Sequence, residues 1–147
     1  MANDIEQGMY SVNKHILNNY SETVVHYQDV PHFDNEKNDE WIEPVMLGPV
    51  GVIARSSQSH NRWILSINCF SKIDMDTAGN RRNIYRAAEI ADVVITLFEK
   101  KDIHYLSLAD VYLSTMRFAE ATVTDLGVEE DLKGLNVSID CWVIRAV

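Results

Sequence analysis

The sequence predicts an α+β fold. Residues 1–147 form a single compact domain with a mostly antiparallel (mixed) β-sheet packed against a short N-terminal helix and one long central helix. Three observations predict it. A helical stripe of Ile84, Ala87, Ala88, Ala91, Val94, Ile95 and Phe98 lies between two alternating segments. The upstream segment is Arg62-Trp63-Ile64-Leu65-Ser66-Ile67-Asn68-Cys69-Phe70, and the downstream one is Asn136-Val137-Ser138-Ile139-Asp140-Cys141-Trp142-Val143-Ile144. A helix clamped on a small sheet is the simplest arrangement that buries the apolar side of all three.

The elements follow in chain order. Asp4 can cap a first helix, with Ile5, Met9, Val12, Ile16 and Tyr20 at helical spacing and Asn18-Asn19 at its end. Gly8 weakens that helix slightly. Thr23-Val24-Val25-His26-Tyr27 is β-branched and aromatic and reads as a short strand, ended by Pro31. Residues 32–40 form a polar, acidic loop. An extended pattern resumes at 41–47, where Pro44 marks an edge or irregular strand. Gly48-Pro49-Val50-Gly51 is a turn signal, and 54–61 is a polar, serine-rich loop.

The strand at 62–70 has one fully apolar face and one mixed face. Residues 71–80 connect it to the long helix, expected from about Arg81 to Lys100, with Asp76 or Thr77 capping its start. Lys100-Lys101 complements its negative C-terminal end. Residues 110–118 read as a further strand, which 119–125 continue or bend away from. Residues 127–134 read as a loop or hairpin tip, and the last strand runs to the C-terminus.

A chain of 147 residues with 46% hydrophobic and 24% charged residues fits one soluble domain with a real core. The net charge of -9 opposes any function that grips nucleic acid by neutralising phosphates. Apolar runs fall far short of the roughly 20 residues of a membrane helix, and the N-terminus lacks a signal-peptide pattern, so a cytoplasmic protein is expected. Cys69 and Cys141 fall inside strand segments on the side expected to be buried; they could lie on neighbouring strands and come close, and reduced thiols are expected rather than a disulfide.

No pattern of catalytic chemistry competes with these folding signals. The histidines are His15, His26, His32, His60 and His104, and none forms a His-x-x-x-His pair. His26 and His32 flank Asp29, with Asp34 nearby, and read as an exposed loop rather than a metal site. Asp74-Met75-Asp76-Thr77-Ala78-Gly79 starts like a calcium loop but lacks the closing Glu and runs into Asn80-Arg81-Arg82. Ser56-Ser57-Gln58-Ser59-His60 lacks a nucleophile elbow, and the glycines at 48 and 51 precede no Gly-Lys-Ser/Thr. The expectation is no enzyme, no cofactor and no metal. Trp142 is out of phase with Ile139, Cys141 and Val143, so it faces an interface unless the first helix covers it.

The strand carrying Ser66-Ile67-Asn68-Cys69-Phe70, a loop, and then the helix Tyr85-Arg86-Ala87-Ala88-Glu89-Ile90-Ala91-Asp92 form the core of a layout. An N-terminal helix over 4–20, an extended region to Leu47, and strands at 111–118 and 137–144 complete it. This layout resembles the tail terminator (tail completion) proteins of long-tailed bacteriophages. The resemblance implies a structural virion protein, assembled in the host cytoplasm and sited at the head-tail junction. It implies a homo-oligomeric ring, commonly hexameric, that caps the tail tube protein, ends its polymerisation and presents a surface to the head connector or stopper. DNA would pass through the lumen without specific binding, which the acidic balance suits. No catalytic residue carries over. By loop position, Ser56, Ser57, Gln58, His60 and Arg62 are candidate contacts to neighbouring rings, with Trp142 and Glu129 as further inter-subunit candidates. The acidic insert at 34–40 departs from the family's pattern. Two other readings compete: a neck or head-completion connector, and a small ligand-binding or enzymatic α+β domain with residues 74–79 near its site.

Overall fold

The computed structural model describes residues 4–27, 40–47, 52–53, 60–75, 81–82, 85–129 and 131–144. The elements are α1 (Asp4–Asn19), β1 (Val24–Val25), β2 (Glu40–Leu47), β3 (Val52–Ile53), β4 (His60–Lys72), β5 (Asp74–Met75), β6 (Arg81–Arg82), α2 (Arg86–Phe98), β7 (Asp102–Leu106), β8 (Tyr112–Glu129) and β9 (Leu132–Ile144). The main sheet runs β1-β2-β4-β9-β8-β7, with β3 also on β4. Among the described residues only the β1–β2 pair is parallel; β5 and β6 form a separate two-stranded piece. The architecture is the expected α+β with a mixed, mostly antiparallel sheet.

Both helices lie on one face. Trp63, Leu65, Ile67 and Cys69 of β4 alternate inward, with Val137, Ile139, Cys141 and Val143 of β9 and Met116 and Phe118 of β8 beside them. Against this floor α1 places Val12 and Ile16, and α2 places Ala87, Ile90, Ala91, Val94 and Phe98. Phe98 meets Phe118 at 5.1 Å between ring centroids, and full burial of such a side chain contributes about 1.5–3 kcal/mol. Gly8 is explained by the same layer. A Cβ there would sit 3.2 Å from the Trp63 indole, so the glycine lets α1 approach the sheet.

Several sequence expectations need correction. The central helix is not long: α2 has 13 residues, fewer than the 16 of α1. It starts at Arg86, while Arg81–Arg82 is a strand, so neither Asp76 nor Thr77 can cap it; Tyr85 occupies the cap position without a side-chain hydrogen bond. What fixes the start instead is Arg86, whose guanidinium reaches Glu22 at 2.8 Å and Glu89 at 3.2 Å and also holds Glu40. The inward stripe takes Ile90 and leaves Ala88 exposed, since 87, 90, 91, 94 and 98 share one side of a helix. Residues 60 and 61 belong to β4, not to a loop. Strand β7 was not foreseen at all, and 127–134 is the end of the β8–β9 hairpin, with 127–129 and 132–134 already in its strands.

Other expectations hold. Pro44 lies in β2, where Ile42 turns its carbonyl toward His26 of the β1 segment, so alternation points position 44 away from β4 and no ladder bond is lost. Cys69 and Cys141 are buried and unbridged. They sit on adjacent strands, but Cys69 faces Leu135 and Cys141 faces Trp63. That six-residue offset separates them by roughly 20 Å.

Candidate interaction surfaces

The second face of the sheet carries no described helix. Its side chains are Glu43 and Val45 of β2, Ile64, Ser66, Asn68 and Phe70 of β4, and Asn136, Ser138, Asp140 and Trp142 of β9, all half-buried. Small polar groups hold the centre together: the Asn136 side-chain amide donates to Ser66 Oγ at 2.9 Å and to Asn68 Oδ1 at 2.8 Å, tying β9 to β4. At one end the Trp41 ring sits 5.1 Å from Phe70, and Phe70 lies over Gly134, where a Cβ would meet the ring at 2.9 Å. At the other end Arg62 donates to Asp140 at 2.9 Å. Trp142 is in register between Arg62 on β4 and Arg117 on β8. Arg117 in turn forks onto Asp102 at 3.1 and 3.2 Å.

These placements sort the sequence candidates. Arg62 and Trp142 are neighbours on the uncovered face. Glu129 is exposed at the far end of β8, opposite Leu132, roughly 33 Å along the strands from Trp142. His60 opens β4, paired through its backbone with Ile53 and Ile144. Ser56, Ser57 and Gln58, and most of the acidic insert at 34–40, lie outside the described residues.

A groove of about 400 Å³ runs between α1 and β7, lined by Ser11, Lys14, His15, Asn18, Asp102 and His104. The His15 ring packs on Phe98, its Nε2 lies 3.1 Å from the Leu97 carbonyl, and Asn19 donates to its Nδ1 at 3.3 Å. That pairing suits the neutral tautomer, and desolvation lowers the imidazole pKa, with Lys101 adding to the effect. Burial pushes the Cys69 and Cys141 thiols up to about 12, the opposite of what nucleophilic or redox use requires. Among the described residues no cluster of three His, Cys, Asp or Glu could hold a metal ion, and no helix is long and apolar enough to cross a membrane.

The strand edges are the feature that sequence reasoning missed. The β7 edge is met by α1: the Leu106 N–H donates to Ser11 Oγ at 2.8 Å. The β2 edge carries β1 and Pro44. The second half of β8 has no strand on its outer side among the described residues, because β7 pairs only as far as Arg117 and the last bond across is Lys100 N–H to the Ala119 carbonyl at 3.1 Å. Residues 122–129 are exposed, including Val123 at 48%, Leu126 at 50% and Val128 at 44%.

The sequence matches no family model and no curated protein. Solved structures do match. One aligns over 100% of this chain and 98% of its own, with TM-score 0.62 and 10% identity. A second is a chain from the virion of a native gene transfer agent particle, with TM-score 0.55 and 17% identity over 92% of this chain and 93% of that one. Likeness at these identities establishes a shared fold across essentially the whole length of each chain.

Proposed function

We propose that this chain is a structural virion protein that caps a phage-type tail tube as a ring; the observation that carries this reading is the near-complete structural overlap with a chain from a gene transfer agent virion. In this reading the ring ends tube polymerisation and leaves a surface for the head connector. The uncovered face supports it. Arg62 and Arg117 on it are each paired with a carboxylate of the same subunit, its centre is uncharged, and Trp142 is only half-buried there, so much of it can be desolvated against a neighbour at modest cost. Subunits meeting through two different surfaces close into a ring when the rotation between them fits. The net charge of -9 suits a lumen through which DNA slides.

The test is electron microscopy of the purified chain mixed with tail tube protein, with masses measured alone and together. Tubes of arrested length bearing a ring at one end are the expected outcome. Free tube growth with this chain unbound refutes capping, and binding to a head connector instead would move the chain to the neck.

A further inference from the structure

The open half of β8 is managed differently from every other described edge. The Ala121 N–H points away from β9 and donates to Glu99 Oε2 at 2.8 Å. Alternation then turns the N–H and C=O groups of Val123 and Asp125 the same way. At the bulge between Asp125 and Gly127 the Gly127 N–H is taken by Asp125 Oδ1 at 2.6 Å, with Gly127 at φ 79°. Carboxylates therefore close both ends of the edge, and the backbone of Val123 and Asp125 is left open between them. The surrounding charge is acidic: Glu120 and Asp125 are each matched by one lysine, Lys100 and Lys133, while Glu129 and Asp131 are exposed and make no ion pair among the described residues.

We infer that this edge is a docking site for a short extended segment of another protein, bearing basic side chains alternating with small apolar ones. An unpaired edge templates an added strand through its backbone groups. The exposed Val123 and Val128, in register with Val137 and Lys133 and so on one side of the sheet, would receive the apolar side chains. Glu129 and Asp131 select the cations, and the same charges oppose a two-fold pairing of β8 with β8 of a second copy, which would set carboxylates against carboxylates. The inference rests on the capping reading only for the segment's source, a neighbouring virion subunit.

The test uses the full chain and two synthetic heptapeptides, one alternating valine with lysine and one alternating valine with glutamate. The lysine peptide should bind at least tenfold more tightly and slow hydrogen exchange at the Val123 and Asp125 amides. Glu129→Lys should weaken it about tenfold. Val123→Pro removes an outward N–H and no β9 ladder bond, so it should abolish the protection without lowering the melting temperature. Should Val123→Pro fail to fold, Glu129→Lys decides alone. Equal binding of both peptides, or protection elsewhere, overturns the docking edge. So does a Val123 amide already protected in a dimer of the free protein, which would assign the edge to a second copy. The two readings fail separately. Peptide binding without tube arrest keeps the edge and removes capping. Tube arrest with a freely exchanging Val123 amide keeps capping and removes the edge.

Discussion

Replacing Arg86 with alanine should destabilise the fold by about 2 kcal/mol. The guanidinium forks onto Glu40, with Nη2 at 3.3 Å from Oε1, and also meets Glu22 at 2.8 Å and Glu89 at 3.2 Å. The Glu40 contact is the best shielded, the two side chains being 23% and 32% exposed, and a charged hydrogen-bonded contact of this kind contributes about 1.5–3 kcal/mol. Glu22 and Glu89 are 37% and 65% exposed, so each adds only about 0.2–1 kcal/mol after solvent screening. Against this, removing a cation from the positive N-terminal end of α2 returns about 0.3–1 kcal/mol. A loss of about 2 kcal/mol lowers the melting temperature by about 4–8 °C for a chain of this size. Arg86→Lys keeps the charge but loses the fork, and should recover about half of the loss. Denaturant titration at low and at 1 M salt is the assay, with the difference shrinking in salt. An Arg86→Ala variant within 0.5 kcal/mol of the parent, or a lysine variant no better than alanine, would refute the assignment of Arg86 as the tie between α2, β2 and the α1–β1 connection.

Gly8→Ala should destabilise despite a helix-propensity gain of about 1 kcal/mol, because overpacking against the buried Trp63 ring costs about 1–3 kcal/mol; a stabilised variant in thermal melts would show that the indole can shift. His15 has a folded pKa held below 6.5 by desolvation, so its contribution to stability is fully present above 6.5 and is lost as pH falls through the lower folded value. Denaturation at pH 7.5 and 5.5 should therefore show a larger acid loss in the parent than in His15→Gln, and equal losses would contradict this. Cys69 and Cys141 should react with a thiol reagent roughly a hundredfold more slowly in the native than in the unfolded protein; comparable rates would mean that the core opens easily. Trp142→Ala and Glu129→Lys should disturb assembly more than folding, with Trp142→Ala costing under about 2 kcal/mol of stability, about half the loss for a fully buried aromatic. Intact assembly with a collapsed melting temperature would make Trp142 a core residue.

The parts of the fold legible in the sequence were those with one uninterrupted period. Strands β4 and β9 each carry a stretch of unbroken alternation, 62–70 and 136–144, and α1 keeps its apolar residues on one side. Strand β8 was only half legible because bulges at Phe118/Ala121 and Asp125/Gly127 reset its phase twice, so 119–129 does not alternate in step with 112–118. Strand β7 offers just Ile103 and Tyr105 as inward residues, too short a signal to separate from a helix end. The start of α2 was misplaced because its anchor is a tertiary ion-pair cluster rather than a local cap. Of the candidate contacts, Trp142 could be phased from its strand, whereas the open β8 edge depends on where β7 stops. No local pattern encodes that stop.

The shape of that edge constrains how assembly would proceed. With Glu99 and Asp125 closing its ends, an added strand reaches only the backbone of Val123 and Asp125, so one contact supplies a few hydrogen bonds of about 0.5–1.5 kcal/mol each. Each single contact is therefore weak, because the entropy of ordering a free segment offsets much of it. Repeated around a ring, the same contact becomes intramolecular after the first engagement, and avidity rises steeply without any new interaction. On the capping reading, a weak edge is therefore the useful one: it keeps the free chain from pairing indiscriminately in solution and engages only where a tube end presents several cationic segments at matching spacing. Lengthening the open edge by Glu99→Ala, which frees the Ala121 N–H, should raise single-peptide affinity and at the same time promote self-association of the free protein. Tighter peptide binding with an unchanged monomeric mass would separate those effects and show that the acidic flanks, rather than the carboxylate caps, keep the edge from pairing with its own kind.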